Sequence, residues 1–163
     1  MWFSRYNLIE AVKNNDINRV NSILNNGKEN INAKDRDGWT ALIWASCKGY
    51  LEIVKYLVEN GADIDAKDNE GWSALMEASY ERHLEVVKYL VENGIDSVNA
   101  KDNDGWTALM RASWRGYSEI VQYLVEIGAD INIKNKDGKT ALDWADIEEI
   151  KEILRKAGEP LLK

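Results

Sequence analysis

The chain has 163 residues, and its balance of 45% hydrophobic and 30% charged residues is that of a globular domain rather than a disordered segment. Its formal net charge of −7 works against binding to nucleic acids or anionic membranes, because both depend on attraction to phosphate. It has one cysteine, no apolar run of the roughly 18 residues that a bilayer requires, and no secretory signal at its start. These features predict a cytoplasmic protein, or a nuclear one if the source is eukaryotic.

A segment of eight residues recurs four times, and we call it the octad. It reads Asp-Arg-Asp-Gly-Trp-Thr-Ala-Leu at 35–42 and returns in related form at 68–75, 102–109 and 135–142. The steps between copies are 33, 34 and 33 residues. A fixed period of this size is typical of a solenoid, in which each unit buries its apolar face against its neighbours.

Two short runs of helical spacing follow each octad. In the first repeat, Leu42 and Ala45 mark a helix that Thr40 is placed to cap. After Gly49, which is placed to end that helix, a second run of branched residues begins at Ile53. The pattern predicts a pair of helices in every repeat, the first with small residues and the second with bulky ones.

Both ends of the chain predict capping units. Residues 1–34 have the helical pattern but no octad, and the last repeat is shortened. Asp146 and Glu149 are placed as a capping box for a final helix that runs to about Lys156. We therefore expect one all-α domain over 1–163, of about five units, with boundaries at 1–34 (N-terminal cap), 35–67, 68–101, 102–134 (full repeats) and 135–158 (shortened C-terminal cap repeat).

The octad, the two helices and the closing Gly-Ala-Asp-Ile segments at 61–64 and 128–131 together resemble the ankyrin repeat over nearly the whole chain. The resemblance implies antiparallel helix pairs with projecting β-hairpins, stacked into a curved array. It also implies a role in binding other proteins through the hairpin tips and the first helices. One departure is Arg82, at the position of the inter-helix glycine, where a positive φ costs about 1 kcal/mol or less.

Tryptophan is unusually frequent, with seven copies, and most of them recur at fixed repeat positions. Counted from the first octad residue, these positions are 5 (Trp39, Trp72, Trp106, and Lys139 in the last repeat), 10 (Trp44, Glu77, Arg111, Trp144) and 13 (Cys47, Tyr80, Trp114). The ankyrin resemblance implies that all three positions border a concave groove, where grouped aromatic residues favour a binding site. The predicted partner-binding residues are Trp39, Trp44, Trp72, Glu77, Tyr80, Trp106, Arg111 and Trp114.

A structural role competes with this interpretation. The regular recurrence of tryptophan at position 5 is also what packing between repeats would produce, and Trp144 is better explained as packing in the shortened cap. Glu77 and Arg111, which we expect to set the polarity of the groove, could instead pair across the stack. An exposed pair of this kind stabilises a protein by about 0–1 kcal/mol.

Two narrower functions are alternatives. Residues 38–45 resemble the ankyrin segment of histone lysine methyltransferases, in which two tryptophans five residues apart form most of a methyl-lysine cage by cation–π attraction. Here Cys47 stands where the cage acid is expected. Separately, Trp72 with Glu77 resembles the adenine-binding groove of the oligoadenylate-sensing ribonuclease, without a cluster of phosphate-binding lysines.

The sequence gives little support for catalysis. His83, the single histidine, shares its repeat position with Tyr50 and Tyr117, which favours a packed ring over a base. One cysteine and one histidine cannot form a usual structural zinc site, and the glycines follow the repeat rather than a phosphate loop. We expect no enzyme activity, no metal and no cofactor.

The leading hypothesis is a non-catalytic, monomeric interaction module that binds a protein or peptide through its concave groove and hairpin tips. The alternatives are an aromatic-groove reader of a small ligand or modified residue, of methyl-lysine or adenine type, and a structural array without a partner of its own.

Overall fold

The computed structural model describes residues 7–94 and 98–160. Within these ranges the chain forms ten α-helices, joined by turns, and no β-strand. The helices are α1 (Asn7–Lys13), α2 (Ile17–Asn25), α3 (Ala41–Lys48), α4 (Leu51–Glu59), α5 (Ala74–Tyr80), α6 (Leu84–Glu92), α7 (Ala108–Arg115), α8 (Ser118–Glu126), α9 (Ala141–Trp144) and α10 (Glu148–Gly158). They follow one another as pairs, which confirms the predicted all-α repeat array. None of these described helices is both long enough and apolar enough to cross a bilayer.

The chain divides into two compact units, Met1–Asp96 and Ser97–Lys163. In the first unit, α1, α3 and α5 pack in one row and α2, α4 and α6 in a second. In the second unit, α7 packs on α9 and α8 on α10. The core of each unit lies between its two rows; for example Leu42 of α3 and Ile53 and Leu57 of α4 are at most 1% exposed.

Each octad turn is held by its first side chain. Asp35 Oδ1 accepts hydrogen bonds from the backbone N–H groups of Asp37 and Trp39, at 3.1 and 2.9 Å. The corresponding pair of bonds recurs in the other three octads, including the last, where Asn135 replaces the aspartate. The side chain of Thr40 then accepts from the N–H of Ile43, which confirms the predicted helix cap.

Neighbouring octad turns contact each other directly. The N–H of Asn69 donates to the carbonyl oxygen of Asp37 at 3.0 Å. Gly38, with φ +83°, lies so close to this contact that a Cβ would be 2.5 Å from Asn69 Oδ1. Both the left-handed backbone and the close approach therefore require glycine at this position.

The hairpins are shorter than the ankyrin resemblance implies. One isolated bridge, between Lys67 and Ser73, is the β-pairing found in the described residues. The octad carboxylates accept hydrogen bonds from the N–H groups at octad positions 3 and 5. Side-chain hydrogen bonds, rather than a longer ladder of β-sheet hydrogen bonds, therefore stabilise the turn.

Two local predictions have different outcomes. Arg82 has φ +67°, as expected for a residue that replaces the inter-helix glycine. The capping box at Asp146 and Glu149 is wrong, because α10 begins at Glu148 and has no side-chain cap. The box lies one helix earlier, where the backbone N–H and the hydroxyl of Thr140 donate to Asp143 Oδ2 at 2.8 and 3.0 Å.

Candidate functional site

The side chain at repeat position 10 bonds to the octad's first side chain in two of the repeats. In the first octad repeat, Trp44 Nε1–H donates to Asp35 Oδ2 at 2.9 Å. In the third, the guanidinium of Arg111 donates to Asp102 Oδ2. In these two repeats the octad aspartate therefore accepts two sets of hydrogen bonds. Its Oδ1 accepts from N–H groups of the turn, and its Oδ2 accepts from a side chain of the first helix.

The other two repeats lack this bond for different reasons. In the last repeat, Asn135 presents an amide whose Nδ2 is a donor, and the buried Nε1 of Trp144 has no hydrogen-bond partner among the described residues. In the second octad repeat, positions 1 and 10 hold Asp68 and Glu77, two groups that as carboxylates only accept.

Every tryptophan at position 5 contacts another aromatic ring. The pairs and the distances between their ring centroids are Trp39–Trp44 (4.6 Å), Trp72–Tyr80 (5.5 Å), Trp106–Trp114 (5.8 Å) and Trp106–Trp144 (4.5 Å). Ring pairs of this kind contribute about 0.5–1.5 kcal/mol beyond the area they bury. Part of the surface of each tryptophan at position 5 is thus covered by a neighbouring ring, and all three tryptophans are half-buried.

Cations of the chain lie over several of these rings. The distances from the charged group to the ring centroid are 4.5 Å for Lys13 over Trp44, 4.4 Å for Arg111 over Trp106 and 4.4 Å for Lys139 over Trp144. All are within the range of about 6 Å in which a cation is attracted to a ring face. The fold therefore uses its own tryptophans as receptors for cations.

The first unit contains a groove of about 500 Å³ between its first and second octad repeats. Four aromatic side chains line it, namely Trp39, Trp44, Trp72 and Tyr80. Together with Glu77, which also lines it, these are five of the eight predicted partner-binding residues. The structure thus brings this subset together in one unit.

The groove is strongly acidic. Its eleven described lining residues include five carboxylates and no basic residue; the carboxylates are Asp37, Asp68, Glu70, Glu77 and Glu81. Glu77 is only 6% exposed, so it is a buried wall residue rather than the open polar contact that the sequence predicted. The other four carboxylates were not among the predicted site residues. The available signal was octad position 3, which is acidic in every copy.

Cys47 lies half-buried in the groove wall, and its thiol donates a hydrogen bond to Glu77. Burial, and then the negative charges of Glu77 and Glu81, raise the pKa of this thiol from 9.0 to about 12. The thiol therefore stays protonated at neutral pH and is a poor nucleophile.

His83 has a structural position. Its Nε2–H donates to the carbonyl oxygen of Cys47 at 2.9 Å. Its ring fills the space beside Gly49, where a Cβ would lie 2.4 Å from Nδ1. This arrangement agrees with the prediction of a packed ring.

The second unit holds the other three predicted residues. Trp114 is 45% exposed, whereas Trp106 is half-buried between Trp114 and Trp144. The side chain of Arg111 is 11% exposed, and its partner, Asp102, belongs to its own repeat. Arg111 therefore contributes to the structure of its own repeat, and Trp114 is the more exposed of the two tryptophans.

Helix pairs joined by octad turns, with an aromatic face beside the turns, define a repeat array of the ankyrin type. The family model for ankyrin repeats (three copies) matches residues 8–102, 68–135 and 97–159. The chain belongs to the ankyrin repeat family. Repeats of this family are generally protein–protein interaction modules and are typically non-catalytic.

Curated proteins share parts of this array. The chain is 55% identical over 49 residues to the acyl-CoA-binding domain-containing protein 6 homolog of Dictyostelium discoideum, an alignment that covers 30% of this chain and 17% of that protein. It is 42% identical over 57 residues to palmitoyltransferase AKR1 of Debaryomyces hansenii, covering 35% and 7%. It is 52% identical over 48 residues to the NAD-capped RNA hydrolase NUDT12 of Homo sapiens, covering 29% and 10%. The matched segments span at most 17% of these relatives, and the similarity is one of repeats.

Proposed function

We propose that this chain is a non-catalytic module that binds a segment of a partner protein in the aromatic groove of its first unit. The observation that carries the proposal is the groove itself, whose volume of about 500 Å³ lies beside four half-buried aromatic side chains. Such volumes are typical of binding sites, at about 300–1,000 Å³. Tryptophan and tyrosine are enriched among the residues that carry binding energy, because they combine a large contact area with a donor.

The octad turns extend this binding surface. Asp37 and Glu70 lie on the turns of the first and second octads and line the same groove. A bound segment would therefore contact both the first helices and the turns, as the family resemblance implies. In the second unit, Trp114 offers a separate exposed ring, while Trp106 and Arg111 serve mainly to hold it in place.

A methyl-lysine cage built from Trp39 and Trp44 has less support. Their ring centroids are 4.6 Å apart, so the two rings contact each other and leave no space between them for a methylated ammonium group. A cation would have to lie on outer ring faces, and one face of Trp44 already carries Lys13.

The proposal is tested by panning a display library of random 12-residue peptides against the whole protein. Selected peptides should bind the Tyr80→Ala variant about tenfold more weakly, because the edge-to-face contact with Trp72 and part of the groove wall are lost. Tyr123→Ala, which removes a half-buried tyrosine from α8 outside the groove, is the matched control and should bind normally. Circular dichroism checks that both variants fold.

The proposal is wrong if no peptide is enriched, or if the enriched peptides bind Tyr80→Ala as tightly as the parent chain. Saturable quenching of tryptophan fluorescence by a trimethyl-lysine peptide would instead favour recognition of methyl-lysine. Saturable quenching by adenosine monophosphate would favour recognition of adenine.

A further inference from the structure

Helices α2, α4 and α6 are each followed by the dipeptide Asn-Gly. The pairs are Asn26–Gly27, Asn60–Gly61 and Asn93–Gly94, and all three glycines have a left-handed backbone, with φ of +63°, +89° and +108°. Asn-Gly is the dipeptide most prone to spontaneous deamidation, because glycine has no side chain to hinder the attack of its backbone nitrogen on the asparagine. The three pairs are therefore chemically alike and differ only in how the fold holds them.

Deamidation begins with the closure of a ring. The backbone nitrogen of the glycine loses its proton to water and bonds to the side-chain carbonyl carbon of the asparagine, and the side-chain nitrogen leaves as ammonia. Water then opens the resulting succinimide at one of its two carbonyl carbons, which gives aspartate or isoaspartate. Ring closure requires the peptide bond to rotate away from the near-helical ψ of Asn26 and Asn60, which is −10° and 15°. The reaction rate therefore depends on local opening of the helix end.

The end of α4 is held by a complete set of hydrogen bonds. The N–H groups of Gly61 and Ala62 donate to carbonyl oxygens of the last turns of α4 at 3.1 and 3.0 Å, which are the two bonds of a Schellman motif. The side-chain amide of Asn60 donates to the carbonyl oxygen of Tyr56 at 2.8 Å. Ala62 is buried, at 8% exposed. Opening this helix end therefore breaks three hydrogen bonds and exposes an apolar side chain.

The end of α2 is held much less firmly. The N–H of Gly27 donates to the carbonyl oxygen of Leu24 at 3.0 Å, as its counterpart does in α4. Among the described residues, neither the N–H of Lys28 nor the side-chain amide of Asn26 makes the bond that its counterpart makes at the end of α4. Asn26, Gly27 and Lys28 are all exposed. Opening here costs one of the three bonds and buries or exposes no apolar group.

We propose that Asn26 is a site of spontaneous deamidation, and that its modification loosens the N-terminal cap. The new carboxylate lies at the C-terminal end of α2, where the helix dipole is negative and disfavours it. Isoaspartate also lengthens the main chain by one carbon just before the segment that carries Glu29. Because Glu29 Oε2 accepts a hydrogen bond from the N–H of Leu8 in α1 at 3.1 Å, a shift of this segment weakens the hold on α1. The inference concerns the cap and does not depend on the proposed function.

The test measures deamidation at all three pairs in one sample. The whole protein is incubated in mildly alkaline buffer with and without urea, and mass spectrometry of proteolytic peptides gives the deamidated fraction at each asparagine. In urea the three rates should be similar. In the folded chain Asn26 should react at least about tenfold faster than Asn60, whose opening breaks two further hydrogen bonds. Asn93, whose side-chain amide also donates to a helix carbonyl at 2.8 Å, should be slow like Asn60.

The consequence for the cap is measured at the amide of Leu8. Asn26→Gln is the matched control, because its longer side chain keeps the amide but closes a ring far more slowly. After the same incubation, the deamidated fraction of the parent chain should exchange the amide hydrogen of Leu8 several-fold faster than Asn26→Gln does.

Folded-state rates at Asn26 that equal or fall below those at Asn60 overturn the inference. An unchanged exchange rate at Leu8 in the deamidated chain overturns it as well, because the modification would then leave the cap intact.

Discussion

The second and third octad repeats are nearly the same structure with opposite charge at one position. Both have aspartate at position 1, tryptophan at position 5 and an aromatic ring at position 13 that meets that tryptophan edge to face. At position 10 one has Glu77 and the other Arg111. In the third repeat the arginine satisfies the octad carboxylate from within, whereas in the second the carboxylates face a groove. The residue at position 10 thus decides whether the octad carboxylate accepts a hydrogen bond from its own first helix.

The difference also has a cost in stability. A buried carboxylate among other acids opposes folding, and such residues are common where function has required them. Glu77 and Asp102 are both buried; Glu77 accepts a hydrogen bond from the thiol of Cys47, and Asp102 pairs with Arg111.

The largest effect is expected from breaking the internal pair. Arg111→Met keeps the apolar stem but leaves Asp102 buried without its partner, which should lower the free energy of unfolding by about 3 kcal/mol. Urea unfolding of the whole chain, followed by tryptophan fluorescence, measures the change. Lys55→Met is the control, because the Lys55–Glu52 pair is exposed and contributes about 0–1 kcal/mol. Equal losses in the two variants would show that the Arg111 pair is not structural.

The next effect concerns the thiol in the acidic groove. A pKa raised from 9.0 to about 12 lowers the thiolate fraction of Cys47 about a thousandfold at neutral pH. The more basic thiolate is about twentyfold more reactive, so the net rate with an aromatic disulfide reagent should be about fiftyfold lower in the folded chain than in urea. Glu77→Gln should raise the folded rate several-fold by removing a negative charge beside the thiol. Equal rates in folded and unfolded chains would contradict the acidic environment.

A smaller effect is expected in the last repeat, which lacks the acceptor at position 1. Asn135→Asp supplies an acceptor for the buried Nε1–H of Trp144 and should stabilise the chain by about 1 kcal/mol in urea unfolding. In a Trp144→Phe background the same substitution should give no gain, because the N–H is absent. A gain of the same size in both backgrounds would mean that the carboxylate acts by another route.

The smallest effect is the pH dependence of the last helix cap. Hydrogen bonds from Thr140 hold the pKa of the Asp143 carboxyl below its ordinary value of 3.8. A lowered folded-state pKa stabilises the fold above the unfolded pKa, and this contribution is lost as the pH falls through the folded value. Asp143→Asn should therefore cost about 0.5 kcal/mol at pH 6 and less at pH 3, measured by urea unfolding. A difference that does not shrink at low pH would exclude the cap as its source.

The repeat array could be predicted because its signals are local. The octad, the terminating glycines and the helix caps are each decided by contacts within a few residues, as the Thr40 bond to Ile43 shows. The misplaced capping box was also local, but Thr140 and Asp143 were overlooked because glutamate rather than aspartate is the usual third helix residue of a box.

The site could be predicted only in part. The positions of the aromatic residues follow from the period, and five of the eight predicted residues line the groove. The pairing of Arg111 with Asp102 could not be read from the sequence, because it depends on how the octad turn folds back over the first helix nine residues later. The burial of Glu77 likewise depends on packing against the neighbouring repeat, where Cys47 lies.

The contact between neighbouring octad turns determines which changes the groove can tolerate. The N–H of Asn69 donates to the carbonyl of Asp37, its Nδ2 donates to the carbonyl of Arg36, and no Cβ fits at Gly38, so the distance between the first two octad turns is held by atoms of the turns themselves. These turn contacts involve none of the side chains at positions 10 and 13, so exchanging those side chains leaves the spacing of the turns in place. Evolution, or an engineer, can change what such a groove recognises by substituting these side chains, while the spacing at which a ligand must fit stays constant.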